Sequence, residues 1–131
     1  MRFTVDRLDH VVLTCNDVGV SANWYQRVLG MEREEFGEDR RTALKFGGQK
    51  LNLHQAGREF SPHAGKPGPG SQDVCFITAV GPEDVVHHLD QCGVVVELGP
   101  VDQTGSLGPM RSVYCRDPDG NLVEIASYLT D

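Results

Sequence analysis

The 131-residue chain has no run of cations longer than Arg40-Arg41, no apolar stretch near twenty residues and no Cys-x-x-Cys pair. The first absence, with 12 Lys+Arg against 19 Asp+Glu and a formal net charge of −7, excludes a nucleic-acid backbone as partner, because that takes several cations on one face. The second excludes a membrane-spanning helix, and no membrane partner is expected. Met1 to Asp6 hold no signal-peptide core, and a cytoplasmic location is expected. The third absence excludes a disulfide framework and a structural zinc knuckle; Cys15, Cys75, Cys92 and Cys115 lie far apart, and the three in apolar runs are expected as buried thiols. What is present, 39% hydrophobic against 24% charged residues, is the composition of a globular chain.

Leu8 to Cys15 is β-branched and apolar and reads as a strand. Asn16 and Asp17 offer N-cap oxygens to a helix whose Ala22, Tyr25, Val28 and Leu29 fall on one face and whose stop is Gly30. Strand-like segments follow at Met31 to Phe36, Thr42 to Phe46 and Lys50 to His54, with Gly47-Gly48 as a hairpin turn. Gln55 to Gln72, with seven Gly or Pro in 18 residues, is a connecting loop. The order then repeats: a strand over Asp73 to Val80, a helix opened by Pro82 and closed by Gly93, strands at Val94 to Leu98 and Met110 to Arg116, the turn Asp117-Pro118-Asp119-Gly120, and a last strand to Tyr128. An offset of 63 lays Gly30 on Gly93 and His10 on Asp73; an offset of 72 lays Gly48 on Gly120 and Asn52 on Glu124. The expected organisation is therefore one domain over 1–131 of class α+β: a βαβββ module over 7–54, a linker over 55–72 and a second module over 73–128. The two modules are expected to form a curved mixed sheet with a concave cleft, helices on the outer face.

Strand alternation sorts the polar residues. His10 shares a face with Val12 and Thr14; Asn52 shares one with His54, Asp73 with Cys75, and Glu124 with Leu122 and Ala126. His10, Asn52, Asp73 and Glu124 thus take matched positions in a duplicated unit. An imidazole, carboxylates and further oxygen donors form a natural divalent-cation site. The other reading of the same residues is a hydrogen-bonded core His10 and a sheet-edge Glu124 facing water, and the residues alone leave both open. His87 and His88 diverge by about 100° on their helix and belong to a solvated face.

Leu8-Asp-His10, Trp24-Tyr25 with Val28-Leu29-Gly30-Met31, and Arg116-Asp-Pro-Asp-Gly-Asn-Leu-Val-Glu-Ile-Ala126 resemble the vicinal oxygen chelate superfamily of glyoxalases, bleomycin-binding proteins and extradiol dioxygenases. Phe46-Gly47, Lys50 to His54, Pro67 to Ser71, Glu97 to Val101 and Thr104-Gly105 resemble, more narrowly, the glyoxalase domain-containing protein five group and its bacterial relatives. The resemblance implies paired βαβββ modules and assigns His10 and Glu124 as metal ligands. Asp73 stands where many metal-binding members have His, and Asn52 where glyoxalase I members have an acidic ligand. Such an oxygen-rich set favours Mn, Fe or Mg, with Ni or Zn also open. His54 is a competing ligand or a proton-transfer group.

The implied chemistry is Lewis-acid catalysis on a small-molecule substrate with vicinal oxygens, with Glu124 as ligand and proton carrier. Tyr114 and Ser112 share a face and are candidate substrate contacts, as is Arg116, for which an ion pair with a neighbouring carboxylate is the alternative. A metal-free binding or drug-sequestration protein of the bleomycin-resistance type is the competing reading, and Asp73 in place of His supports it. A homodimer is expected, because two open modules expose much of their sheets.

Overall fold

The computed structural model describes residues 1–129. The elements are β1 (His10–Cys15), α1 (Val18–Leu29), β2 (Glu32–Phe36), β3 (Arg41–Phe46), β4 (Gln49–Gln55), β5 (Asp73–Ile77), α2 (Pro82–Gln91), β6 (Leu98–Gly105), β7 (Gly108–Arg116) and β8 (Leu122–Tyr128). The chain divides into two compact units, Met1–Gly68 and Pro69–Asp131. Each carries its own four-stranded mixed sheet, in the order β1-β4-β3-β2 in the first and β5-β8-β7-β6 in the second. Among the described residues no helix is long and apolar enough to cross a membrane.

In the first unit, the Asp17 carboxylate accepts from Val20 N at 3.0 Å and starts α1, and Gly30, at φ 67°, ends it. Between these caps Ala22, Trp24, Tyr25 and Val28 bury against Leu13, Leu44, Leu51 and Leu53 on one side of the sheet. Each large apolar side chain so buried contributes about 1.5–3 kcal/mol. Trp24 and Tyr25 meet edge to face, 4.8 Å between centroids. Gln55, at the end of β4, ties the β1–α1 corner: its Oε1 accepts from Val18 N at 3.1 Å and its Nε2 donates to Asn16 O at 2.6 Å.

The second unit repeats the plan. Pro82 occupies the first turn of α2, Glu83 and Asp84 lie at its positive end, and Val85 and Leu89 are buried. The parallel pair β1·β4 sets Val12 beside Asn52, and the parallel pair β5·β8 sets Cys75 beside Glu124. These are equivalent positions under the offsets of 63 and 72, so the repeat holds in hydrogen-bonding register as well as in sequence.

Two expectations are corrected. Val94 to Glu97 is not a strand; the second strand of this unit, β6, occupies Leu98–Gly105, almost all of it beyond the expected strand at Val94 to Leu98. β7 recruits it despite Gly99 and Pro100, with an irregular register between Leu98 and Val101. Cys15 and Cys115 are buried as expected, but Cys75 is exposed because alternation puts it on the polar face with Asp73.

Candidate functional site

In the first unit the side of the sheet away from α1 carries the polar residues. Register places His10, Val12 and Thr14 beside Lys50, Asn52 and His54, and Ala43 on the other flank of Asn52. His10 is exposed, and its Nδ1 lies 2.9 Å from Asp9 Oδ2. A carboxylate only accepts, so Nδ1 donates, and in the neutral ring Nε2 carries the lone pair. The same hydrogen bond draws the Asp9 carboxyl below its ordinary range.

Asn52 Oδ1 is buried with no hydrogen-bond partner. Its cross-strand neighbours, Val12 and Ala43, are both apolar and supply no donor. His54, 6% exposed, packs edge to face on Phe60, 5.5 Å between centroids. Burial, followed by the nearby Arg41 cation, pushes the imidazole below its usual value, so it is neutral near pH 7. Arg41 in turn lies over the Phe60 ring, 4.2 Å from its centroid. Arg41 and Phe60 were not among the sequence candidates; the signal for Phe60 was a lone aromatic in a loop otherwise rich in Gly and Pro.

In the second unit Ser112 Oγ donates to Glu124 Oε2 at 2.6 Å. Tyr114 stands directly across from Glu124 on β7, and Cys75 is beside it on β5. Partial desolvation first, then the Glu124 carboxylate, raises the Tyr114 hydroxyl and pushes the Cys75 thiol up to about 11. Both are therefore protonated donors at neutral pH. Asp73 is exposed at the start of β5. Arg116 is taken up by structure: its Nε and Nη2 donate to Glu97 at 3.0 and 3.1 Å, and its Nη1 donates to Gly120 O at 3.1 Å.

The Asp-Pro-Asp-Gly-Asn motif has a structural role here. Asp117 Oδ1 accepts from Asp119 N and Asn121 N, both at 2.9 Å, and its Oδ2 accepts from Asn121 Nδ2 at 2.7 Å. Asn121 Oδ1 accepts from Gln72 N at 2.9 Å, joining this turn to the chain entering β5. Gly70 makes the close approach possible, since a Cβ there would sit 2.5 Å from Asp119 O.

The fit of a divalent ion is tested on the donors. His10 offers a lone pair on an imidazole backed by a carboxylate, the arrangement that orients metal-binding histidines. Glu124 offers a carboxylate held by a hydroxyl, and Asn52 a carbonyl oxygen that lacks a donor. Taken one by one, these donors suit a cation. Among the described residues no group of three or more His, Cys, Asp or Glu is gathered for a metal.

A family model for the Glyoxalase/Bleomycin resistance protein/Dioxygenase superfamily matches residues 7–125. The virulence protein STM3117 of Salmonella typhimurium is 46% identical over 129 residues, covering 98% of this chain and 89% of that one. Its crystal structure superposes with a TM-score of 0.94, at 97% coverage of this chain and 100% of the other, with 47% identity. The glyoxalase domain-containing protein RDO1 of Mycosarcoma maydis is 49% identical over 127 residues, covering 97% and 71%. An integron cassette protein from the V. cholerae mobile metagenome matches with a TM-score of 0.95 and 46% identity over 98% of this chain and 100% of its own. Two βαβββ units in matched register, with the family model spanning nearly the whole chain, make this protein a member of the glyoxalase/bleomycin resistance/dioxygenase, or vicinal oxygen chelate, superfamily.

Proposed function

We propose that the chain is a divalent-metal-dependent enzyme of the glyoxalase/dioxygenase type acting on a small metabolite with adjacent oxygens. The observation that carries this is the His10 imidazole, whose Nδ1 is committed to Asp9, so that the neutral ring turns its Nε2 lone pair outward to a ligand. His10 and Glu124 are the proposed ligands, with Asn52, Asp73 and His54 as further donors. A bound ion would supply Lewis acidity to charge developing on a substrate oxygen.

The chain's own residues do the rest. Ser112 fixes the Glu124 carboxylate, which also takes and returns a substrate proton. Tyr114, protonated across from Glu124, donates to a substrate oxygen. His54, neutral and apolar-walled, is a second proton acceptor.

Metal analysis of untagged protein tests the reading. A near-stoichiometric divalent ion, lost in His10→Ala and in Glu124→Ala, is expected. Folded protein that is metal-free and takes up no added ion overturns it. The competing reading, sequestration of a small molecule without metal, draws on Asp73 and on the exposed Ile77 and Leu98, which share the polar face of the second sheet with Tyr114. Saturable binding of planar or cationic drugs by metal-free protein would favour it.

A further inference from the structure

We propose that the polar face of the first unit receives a small hydroxycarboxylate, its carboxylate on Arg41 and its hydroxyl on Asn52 Oδ1. Three observations in one sheet lead there. The Arg41 guanidinium lies over Phe60 at 4.2 Å, and its ion-pair partner among the described residues, the largely exposed Asp39, is 3.6 Å from a single Nη. That contact is too long for a hydrogen bond and leaves a planar fork of donors for a carboxylate to engage with two bonds. The cations beside it are otherwise engaged: Lys45 and Lys50 both face Glu34, at 3.6 and 4.0 Å, and Lys50 lies 3.7 Å above the Phe36 ring.

Asn52 Oδ1, buried and without a donor, carries a free-energy cost that a ligand hydroxyl would remove. Asn52 is on β4 and Arg41 on the adjoining β3, two positions from Ala43, the cross-strand neighbour of Asn52, so both residues belong to the same side of the sheet. Phe60 serves both ends of the arrangement. Its ring lies against the guanidinium on one side and packs edge to face on His54 on the other, so the cation sits beside an apolar wall. In a chain with a net charge of −7, the Arg41 guanidinium is a local cation suited to an acidic ligand.

The assignment rests on the proposed function only in naming the bound acid as a substrate; binding is measured apart from turnover. Full-length, chelator-treated protein is titrated with glycolate and with glycolamide, its neutral isostere, by calorimetry and by NMR of the Asn52 side-chain amide. Glycolate is expected to saturate and to shift that amide, with glycolamide at least roughly tenfold weaker, the scale of a lost charge-assisted hydrogen bond. Arg41→Gln should bring glycolate down to the glycolamide level while the chain stays folded by circular dichroism, and Arg41→Lys should recover part of the difference. Equal titration by the two probes, wild-type affinity in Arg41→Gln, or no saturation by glycolate overturns the proposal. Carboxylate selectivity in a protein that takes up no metal would refute the metal-dependent reading and leave this one standing.

Discussion

The Asp9 carboxylate contacts His10 and the Ser112 hydroxyl contacts Glu124, so their effect is separable from that of the two proposed ligands themselves. Asp9→Asn and Ser112→Ala are expected to weaken metal affinity roughly ten- to a hundredfold without unfolding the chain, the usual scale for removing an orienting partner. Competition with a metal-sensitive dye measures it, and unchanged affinity in both variants would separate these contacts from metal binding. His54 gives a pH test with a defined sign. Its folded-state value is depressed below 6.5, so the unfolded chain takes up the proton first. The stability it contributes is complete above pH 6.5 and declines as pH falls toward the folded value. Urea midpoints between pH 8 and 5 should fall more steeply for the native chain than for His54→Gln; parallel curves would contradict this. Both histidines were visible in the sequence as alternating strand positions, but their environments were not. Burial of His54 depends on Phe60, which arrives from the loop and has no periodic signature.

The elements differ in how openly the sequence announced them. α1 was legible at both ends because Asp17 and Gly30 are local devices whose chemistry does not depend on the rest of the chain. β6 was not, because Leu-Gly-Pro-Val-Asp-Gln-Thr-Gly has neither alternation nor β-branched density, and its pairing is imposed by β7. The two turn carboxylates give a contrast in stability. Asp17→Ala removes one exposed cap and is expected to cost about 1 kcal/mol. Asp117→Ala strips partners from two backbone N–H groups and the Asn121 amide in a buried turn, and about 3 kcal/mol is expected. Equilibrium unfolding of the two variants decides it; equal costs would mean that the Asp117 network is replaced by water.

Across the whole chain, the repeat was the most legible property, since offsets read from glycines and turns reappear as the strand pairings Val12–Asn52 and Cys75–Glu124. Less legible was how the two faces have diverged. The first unit's face holds Arg41, two histidines, and Lys45 and Lys50 gathered on Glu34, whereas the second holds Asp73, Glu124, Tyr114 and exposed Ile77 and Leu98. We expect the exposed apolar residues to be covered in a homodimer, and light scattering should return twice the chain mass; a monomeric mass at micromolar concentration would count against it.

The hydrogen-bonded turn at Asp117 has a consequence that belongs to counting rather than to energy. A strand has only two phases, and a slip of β8 by one residue would exchange Glu124 for Val123 or Ile125 on the polar face. Asp117, Asn121 and Gln72 fix where that count begins, three residues before Glu124, and so set the phase of the strand that follows. The motif that marks the family most visibly need not touch a substrate to govern the chemistry: it decides which parity of residue the substrate meets.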